Sequence, residues 1–128
     1  MSGGPHRFEP RTVDKPWGSE LIWAETDDYA GKILLVKAGE SLSLQYHEVK
    51  DESWYVLEGR ARLELGAVGE EALDEVEILP GQAFRFRPGT VHRVTGVEDT
   101  RILEVSTAHL DDVVRLADSY GREGTSLP

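Results

Sequence analysis

One stretch of the sequence decides the fold and the site: Gly39-Glu-Ser-Leu-Ser-Leu-Gln-Tyr-His47-Glu-Val-Lys-Asp-Glu52-Ser-Trp-Tyr-Val-Leu-Glu-Gly59. Side chains two residues apart on a strand share a face, so Gln45 and His47 point the same way while Tyr46 points the other way. The polar residues that follow predict a tight connection, after which Glu52 opens the returning strand. The stretch therefore predicts three side chains with nitrogen or oxygen donors that converge on one point.

A fourth donor comes from later in the chain, at His92. Together, Gln45, His47, Glu52 and His92 predict a site for a divalent metal. The chain has no cysteine, so disulfides, thiolate ligands and cysteine nucleophiles are excluded. Nitrogen and oxygen donors suit zinc, and also nickel, iron, manganese and cobalt, because such donors select weakly among metals. Each of these side chains alone is more often structural, so the joint spacing is what favours a metal.

The rest of the chain is typical of short antiparallel strands. Glycines and prolines recur at short intervals, and the segments between them alternate between apolar and polar residues rather than following a helical period. Strands are predicted at 32–37, 41–47, 53–57, 60–65, 76–79, 83–86 and 101–106, with others near 20–23 and 91–95. The pattern predicts an all-β barrel or sandwich.

Two segments depart from this pattern. Residues 111–120 begin with two aspartates, carry apolar side chains at helical spacing and stop at Gly121, which predicts one short C-terminal helix packed against the barrel. Residues 1–12 contain glycines and prolines without periodicity, which predicts a flexible N-terminal arm. We therefore expect one domain over residues 13–122, followed by a C-terminal tail at 123–128.

Composition and charge narrow the classes of function. The 128 residues fit one small domain. The formal charge of −10 would repel the negatively charged phosphates of a nucleic acid, so no nucleic-acid partner is expected. No apolar run reaches the roughly 20 residues that a membrane helix needs, so no membrane partner is expected either. The first residues do not resemble a secretory signal, which makes the cytoplasm the expected location. A homodimer is expected because closed two-fold pairs are the commonest soluble assembly.

The stretch from Gly39 to Gly59 resembles the first motif of the cupin superfamily, G-x5-H-x-H-x3,4-E-x6-G, with Gln45 in place of the first histidine. Residues 81–92 resemble the second cupin motif, G-x5-P-x-G-x2-H-x3-N, with Pro88 shifted by one position and Gly96 where asparagine is usual. The resemblance implies a cupin-type double-stranded β-helix, which is a small jelly-roll barrel. It also implies that the four residues named above bind the metal.

Among cupins, the sequence resembles the isomerase domain of type II mannose-6-phosphate isomerases, whose zinc ligand set has the glutamine. Flanking segments agree, namely Lys15-Pro-Trp-Gly18, Leu42-Ser-Leu-Gln-Tyr-His47, Trp54-Tyr-Val-Leu-Glu-Gly59 and Asp112-Val-Val-Arg115…Asp118-Ser-Tyr-Gly-Arg122. The resemblance spans about residues 13–122. In bifunctional members a guanylyltransferase domain precedes this one, and the present chain is too short to contain it, so we expect a stand-alone domain.

The resemblance implies aldose–ketose exchange, in which a proton moves between C1 and C2 through an enediolate with zinc as the Lewis acid. It also implies two catalytic residues. Lys50 is the candidate general base, although its position also fits an exposed loop lysine. Arg122 is the candidate for catalysis or phosphate contact, because a guanidinium binds phosphate through two parallel hydrogen bonds. The expected partner is a small sugar phosphate.

Two other functions remain open. The first is a non-catalytic cupin that binds metal and sugar without turnover. The second is a cupin metalloenzyme with another reaction, such as an oxygenase, because the fold does not fix the function. The presence of Lys50 and Arg122 favours an enzyme over a binding module. Gln45 argues against an oxygenase, because oxygenase cupins usually hold iron with mostly histidine ligands.

Overall fold

The computed structural model describes residues 3–70, 72–109 and 111–122, which form almost entirely antiparallel β-structure. A short 3₁₀ turn at Gly4–His6 precedes the strands. The strands are β1 (Arg11–Lys15), β2 (Gly18–Glu25), β3 (Tyr29–Val36), β4 (Leu44–Tyr46), β5 (Glu52–Glu58), β6 (Ala61–Ala67), β7 (Asp74–Ile78), β8 (Ala83–Phe86), β9 (Thr90–Gly96), β10 (Thr100–Thr107) and β11 (Val114–Ala117). Within the described ranges, no helix has the length and apolar character needed to cross a membrane. The predicted tail at 123–128 lies outside the described residues.

The strands form two sheets. One has six strands in the order β1-β2-β3-β10-β5-β8, and the other has five in the order β11-β4-β9-β6-β7. The named strands pair in antiparallel fashion throughout, and neighbours such as β3 and β10 are far apart in the chain, as a jelly roll requires. The predicted all-β architecture is confirmed, and each predicted strand overlaps an observed one.

The chain ends differ from the predicted pattern. The helix predicted over 111–120 is wrong, because Val114–Ala117 is a strand, β11, that pairs with β4. Its apolar spacing suits a helix, but without β11 the edge of β4 would be unpaired, and an extended segment satisfies that edge with backbone hydrogen bonds. At the other end, β1 begins at Arg11, so the last two residues of the predicted arm pair with β2.

Two neighbouring inward rows of the six-stranded sheet differ in polarity. Lys32, Glu104 and Trp54 lie in register across β3, β10 and β5. The next inward row, two residues along each strand, is apolar and contains Leu34, Ile102 and Val56. Strand side chains alternate between the two faces of a sheet, so inward-facing side chains lie two residues apart. Moving two residues along a strand therefore leads from the polar row to the hydrophobic core.

The five-stranded sheet repeats this division. Arg115, Gln45 and His92 lie in register across β11, β4 and β9, and the next inward row pairs Val94 with Leu63. The apolar rows of both sheets belong to one continuous core. Most residues of the polar rows line one space between the sheets, and Gln45, His47 and Glu52 of the predicted site line the same space.

Candidate metal centre

Three buried side chains meet between the two sheets. His47 follows β4, Glu52 opens β5, and His92 lies in β9; their exposed fractions are 5%, 2% and 1%. One donor atom from each lies within 4.8 Å of the others. His47 Nε2 is 3.6 Å from Glu52 Oε2, and His92 Nε2 is 3.4 Å from Glu52 Oε1. Zinc ligands about 2.1 Å from an ion in a tetrahedron lie about 3.4 Å apart, so this spacing suits one ion.

Backbone carbonyls orient both histidine rings. His92 Nδ1 lies 3.0 Å from the Thr90 oxygen, and His47 Nδ1 bonds the Asp112 oxygen. A carbonyl only accepts, so each Nδ1 donates and a neutral ring keeps a lone pair on Nε2. Within the described part of the chain, neither Nε2 has a hydrogen-bond partner. Two buried acceptors aimed at a carboxylate are unfavourable without a cation, so these residues fit a divalent metal.

The predicted fourth ligand, Gln45, lies directly opposite His92 in the β4–β9 pairing. It lines the same cavity as His47 and Glu52. Its Oε1 accepts a hydrogen bond from Ser43 Oγ at 2.6 Å, which leaves one lone pair of that oxygen for another partner. The fold thus places the four predicted ligands in neighbouring positions, and metal binding by each of them stays a prediction.

The ionisation of these groups favours cation binding. Burial alone would raise the pKa of Glu52, but His92, Lys50 and His47 together hold that pKa below its ordinary value. Burial lowers the pKa of His47, and this outweighs the opposite influence of Glu52. Near neutral pH the site therefore offers a carboxylate and a neutral imidazole, which are the forms that bind metal.

Lys50 is buried, with an exposed fraction of 5%, so it is not a loop lysine in solvent. Its Nζ lies 2.7 Å from Glu52 Oε2 and 3.3 Å from Glu104 Oε2. Burial lowers the pKa of Lys50, but the carboxylates of Glu104 and Glu52 outweigh burial and raise that pKa above its ordinary value. In this arrangement Lys50 is an ammonium group that donates hydrogen bonds.

Glu104 is a further cavity residue that was not predicted from the sequence. It lies on β10 with 4% of its surface exposed, and it accepts a hydrogen bond from Trp54 Nε1 at 3.2 Å. Burial raises its pKa, Glu52 acts in the same direction, and Lys50 opposes both. The available signal was its place on the inward face of a strand, where an ionisable residue is rare.

A second buried ion cluster lies on the same wall. Glu20 on β2 accepts hydrogen bonds from Lys32 Nζ at 3.0 and 3.2 Å, and Lys15 Nζ lies 3.8 Å from the same carboxylate. Buried charges persist only when they are paired, so this cluster fixes the positions of its three side chains. All three line the cavity.

Two arginines from the C-terminal segment complete the cavity. Arg122 donates through Nε and Nη2 to Asp118 at 2.9 and 3.1 Å, which holds the guanidinium in one orientation. Arg115 lies on β11 next to Gln45. Burial lowers the pKa of Lys15, and the nearby Arg122 and Arg115 lower it further. The three cations therefore lie near one another and form a positive region in a chain of net charge −10.

The cavity has a volume of about 320 Å³. Its charged lining consists of Arg11, Lys15, Lys32, Lys50, Arg115, Arg122, Glu20, Glu52, Glu104 and Asp111. Cationic side chains outnumber acidic ones, which is the reverse of the whole chain. A small anion with several oxygen atoms suits such a lining.

Asp112 holds the loop that carries His47 in place through hydrogen bonds. Its carboxylate accepts the backbone N–H groups of Glu48, Val49 and Lys50 at 3.1, 2.7 and 2.8 Å, while its own carbonyl accepts from the His47 ring. These bonds join the C-terminal segment to the loop between β4 and β5 across more than 60 residues of sequence. Sequence spacing carries no sign of this contact, because the aspartates that open residues 111–120 predict the start of a helix instead.

Replacing Asp112 with alanine is expected to weaken metal affinity about 10- to 100-fold, because the loop that positions His47 loses its three hydrogen bonds. Isothermal titration of the metal-free protein measures the change. Asp27→Ala, which removes an exposed turn carboxylate, is the matched control and should leave the affinity unchanged. A folded D112A variant with wild-type metal affinity would show that Asp112 does not position the loop for metal binding.

Two antiparallel sheets that enclose a His-Glu-His group between them define a barrel of the cupin type. The resemblance seen in the sequence is confirmed, because a family model matches most of the chain and solved structures share its architecture. The chain belongs to the mannose-6-phosphate isomerase C-terminal family, whose model matches residues 6–118.

Curated relatives agree with this family. The chain is 33% identical over 118 residues to the xanthan biosynthesis protein XanB of Xanthomonas campestris pv. campestris, a match that covers 88% of this chain and 24% of the relative. It is 34% identical over 123 residues to a mannose-1-phosphate guanylyltransferase of Escherichia coli K12, covering 91% of this chain and 24% of that protein. The chain thus spans about a quarter of the length of the curated relatives it matches.

Solved structures share the fold. The capsular polysaccharide assembling protein CapF from Staphylococcus aureus matches with a TM-score of 0.68 at 15% identity, over 94% of this chain and 33% of that one. Oxalate decarboxylase from Bacillus subtilis, a protein with Mn(II) centres, matches with a TM-score of 0.69 at 18% identity, over 83% and 30% of the two chains. At these identities the likeness shows the fold alone.

Proposed function

We propose that this chain is a metal-dependent sugar-phosphate isomerase that acts on mannose 6-phosphate or a close relative. One observation carries the proposal: a single cavity is lined by donors fit for a metal, by a buried Lys50–Glu104 pair that can move a proton, and by Arg115 and Arg122, which suit an anionic group. The mannose-6-phosphate isomerase family supports the same substrate class.

Four residues would hold the metal, namely Gln45, His47, Glu52 and His92. Zinc is the proposed ion because the donors are nitrogen and oxygen, while nickel, iron, manganese and cobalt fit the same donor types. When bound there, such an ion polarises a carbonyl and favours negative charge on adjacent hydroxyl oxygens. The structure supports this assignment through the two oriented Nε2 lone pairs described above.

Proton transfer between C1 and C2 needs one group that accepts the carbon-bound proton and another that stabilises the oxygen of the enediolate. Glu104, whose pKa burial raises, is the proposed acceptor. Lys50, held as an ammonium between Glu104 and Glu52, is the proposed hydrogen-bond donor to the oxygen. The same Glu104 then returns the proton to the neighbouring carbon, while the hydroxyl proton passes from the C2 oxygen to the C1 oxygen beside the Lys50 ammonium. The aldose and the ketose therefore contain the same atoms and differ in the positions of these two protons.

The phosphate group is proposed to lie against Arg122, Arg115 and Lys15. Asp118 fixes the Arg122 guanidinium, and an arginine already held in place loses little side-chain freedom when it binds phosphate. Arg115 and Lys15 were not predicted as site residues from the sequence. A small-molecule partner of this kind is typical of a cytoplasmic enzyme, so a cytoplasmic location belongs to the proposal.

The second candidate is a cupin that binds metal and sugar phosphate without turnover. The observation that favours it is that both candidate groups are already paired: Lys50 Nζ lies 2.7 Å from Glu52 and 3.3 Å from Glu104, so a substrate must compete with these ion pairs before either group acts on it. This candidate predicts the same metal and anion binding and differs only in catalysis. An activity measurement on fully loaded protein separates the two.

The deciding experiment loads the full chain with zinc, confirms about one ion per chain by mass spectrometry, and measures conversion of mannose 6-phosphate to fructose 6-phosphate in a coupled assay. Turnover that disappears with a chelator and returns with metal is the expected result. Parallel assays use other aldose phosphates, with nickel, iron, manganese and cobalt each loaded in turn. If no loaded form turns over any of these substrates, the isomerase proposal is wrong.

A further inference from the structure

The cavity wall formed by β2 and β3 carries a buried ion pair that has no part in the proposed chemistry. Glu20 and Lys32 have exposed fractions of 8% and 7%, and Lys32 Nζ donates to both carboxylate oxygens of Glu20 at 3.0 and 3.2 Å. Both side chains line the cavity. Together they are called here the Glu20–Lys32 pair.

Packing does not require this pair. Glu20 interrupts an apolar row, because it lies between Val13 of β1 and Leu34 of β3. Lys32 lies beside Ile22 of β2. Apolar side chains could continue both rows, since replacing a buried ion pair by well-packed apolar residues is often neutral or stabilising. Two charges that packing does not require, placed on a cavity wall, indicate a ligand that they contact.

The pair lies between the two ends of the proposed substrate site. On one side, Lys32 is the register partner of Glu104, the proposed proton acceptor, across β3 and β10. Burial raises the pKa of Glu104 and the Lys32 charge opposes that rise, which agrees with Lys32 lying near that carboxyl. On the other side, Lys15 Nζ, which belongs to the proposed phosphate region, lies 3.8 Å from the Glu20 carboxylate. A substrate that reaches from Glu104 to Lys15 therefore passes the Glu20–Lys32 pair.

Neighbouring hydroxyl groups match the chemistry of this pair. A carboxylate only accepts hydrogen bonds and an ammonium only donates them, whereas a hydroxyl does both. Among the described residues, Glu20 takes two of the three N–H groups of Lys32, so the third can donate to a ligand. One hydroxyl can therefore donate to Glu20 while its neighbour accepts from Lys32, and both hydrogen bonds are charge-assisted.

We propose that the Glu20–Lys32 pair binds two neighbouring hydroxyl groups in the middle of the substrate and so makes the cavity selective for phosphates of five- and six-carbon sugars. This rests on the proposed function, which places the reacting carbons at Glu104 and the phosphate at Lys15 and the two arginines. In mannose 6-phosphate the hydroxyls at C3 and C4 lie between these ends. A three-carbon aldose phosphate has no hydroxyl there, so it leaves both charges of the pair without hydroxyl partners.

Isothermal titration of the zinc-loaded full chain with two unreactive ligands tests the proposal. Mannitol 1-phosphate has no carbonyl group and cannot be isomerised, and its 3,4-dideoxy analogue lacks only the two middle hydroxyls. The wild-type protein is expected to bind mannitol 1-phosphate about 10- to 100-fold more tightly than the analogue, because hydrogen bonds to charged groups are the stronger ones. Equal affinities, or no binding of either ligand, would overturn the proposal without any variant.

A double variant, Glu20→Gln with Lys32→Met, assigns the preference to the pair. It removes both charges together, and its preference for mannitol 1-phosphate is expected to fall about tenfold or more. The matched control combines Lys37→Met with Glu75→Gln, which change an exposed lysine and an exposed glutamate outside the cavity lining, and it should keep the wild-type preference. Circular dichroism and zinc content establish that both proteins are folded and loaded. A loaded double variant with the wild-type preference would show that the pair does not bind the hydroxyls.

The outcome is separate from that of the isomerase assay. A chain that turns over no sugar phosphate but prefers mannitol 1-phosphate refutes the isomerase and retains the hydroxyl contact. A chain that isomerises mannose 6-phosphate but binds both ligands equally retains the isomerase and refutes the hydroxyl contact.

Discussion

Replacing His92 with alanine is expected to reduce bound metal to below about a tenth of one ion per chain after dialysis, because the variant loses a fully buried donor that Thr90 orients towards Glu52. Inductively coupled plasma mass spectrometry of the purified protein measures the content. Gln45→Ala tests the fourth ligand separately. If Gln45 binds the metal, its variant should also lose most of the ion.

The matched control is His109→Ala, which removes an exposed histidine outside the cavity and should leave the metal content at the wild-type value. His92 stacks on Phe86 with ring centroids 4.5 Å apart, so its loss also leaves a void. Glu52→Gln keeps the shape of its side chain and removes only the negative charge, which separates ligation from packing. Full metal occupancy in folded H92A and E52Q variants would remove the proposed site.

Replacing Glu104 with glutamine is expected to lower kcat for mannose 6-phosphate by about 10²- to 10⁴-fold, because an amide cannot accept the carbon-bound proton. The KM and the metal content should change little, since the amide oxygen of the E104Q variant can still accept the hydrogen bond from Trp54, and position 104 is not one of the three donors. Steady-state kinetics of the zinc-loaded variant measure both constants.

Glu98→Gln is the control for this substitution, because Glu98 is an exposed glutamate whose loss of charge leaves the cavity untouched. Loss of metal together with activity in E104Q would assign Glu104 a structural role in the site. A variant with wild-type kcat and KM would show that another group moves the proton. The substitution removes one charge beside Lys50, so the unfolding temperature of each variant is measured as well.

Local patterns in the sequence were sufficient to predict the barrel and to propose the metal ligands. Alternation predicted each strand that carries a ligand, and the two-residue spacing of Gln45 and His47 placed both on one side of β4. Glu52 and His92 could be added to the proposed ligand set because both lie next to predicted turns, where the local sequence determines the geometry. These features depend on interactions between residues close in the chain.

Long-range contacts were not predictable in the same way. The segment 111–120 has helical spacing, yet pairing with β4 makes it extended, and no single-sequence pattern reports which strand edge needs a partner. The same pairing brings Arg115 beside Gln45, and the Asp112 carboxylate beside the backbone of residues 48–50. Glu104 was missed because its partners, Lys50 and Trp54, come from a different part of the chain.

Neighbouring inward rows of the six-stranded sheet differ in what a substitution disturbs. Changes at Ile102 or Val56 disturb the packing that keeps the chain folded, whereas changes in the neighbouring row, at Lys32 or Glu104, alter the wall of the cavity. Side chains in the row that lines the cavity can therefore be exchanged to fit a new substrate, while the neighbouring apolar row keeps the barrel folded. Such a division allows members of one fold to diversify without first acquiring additional stability.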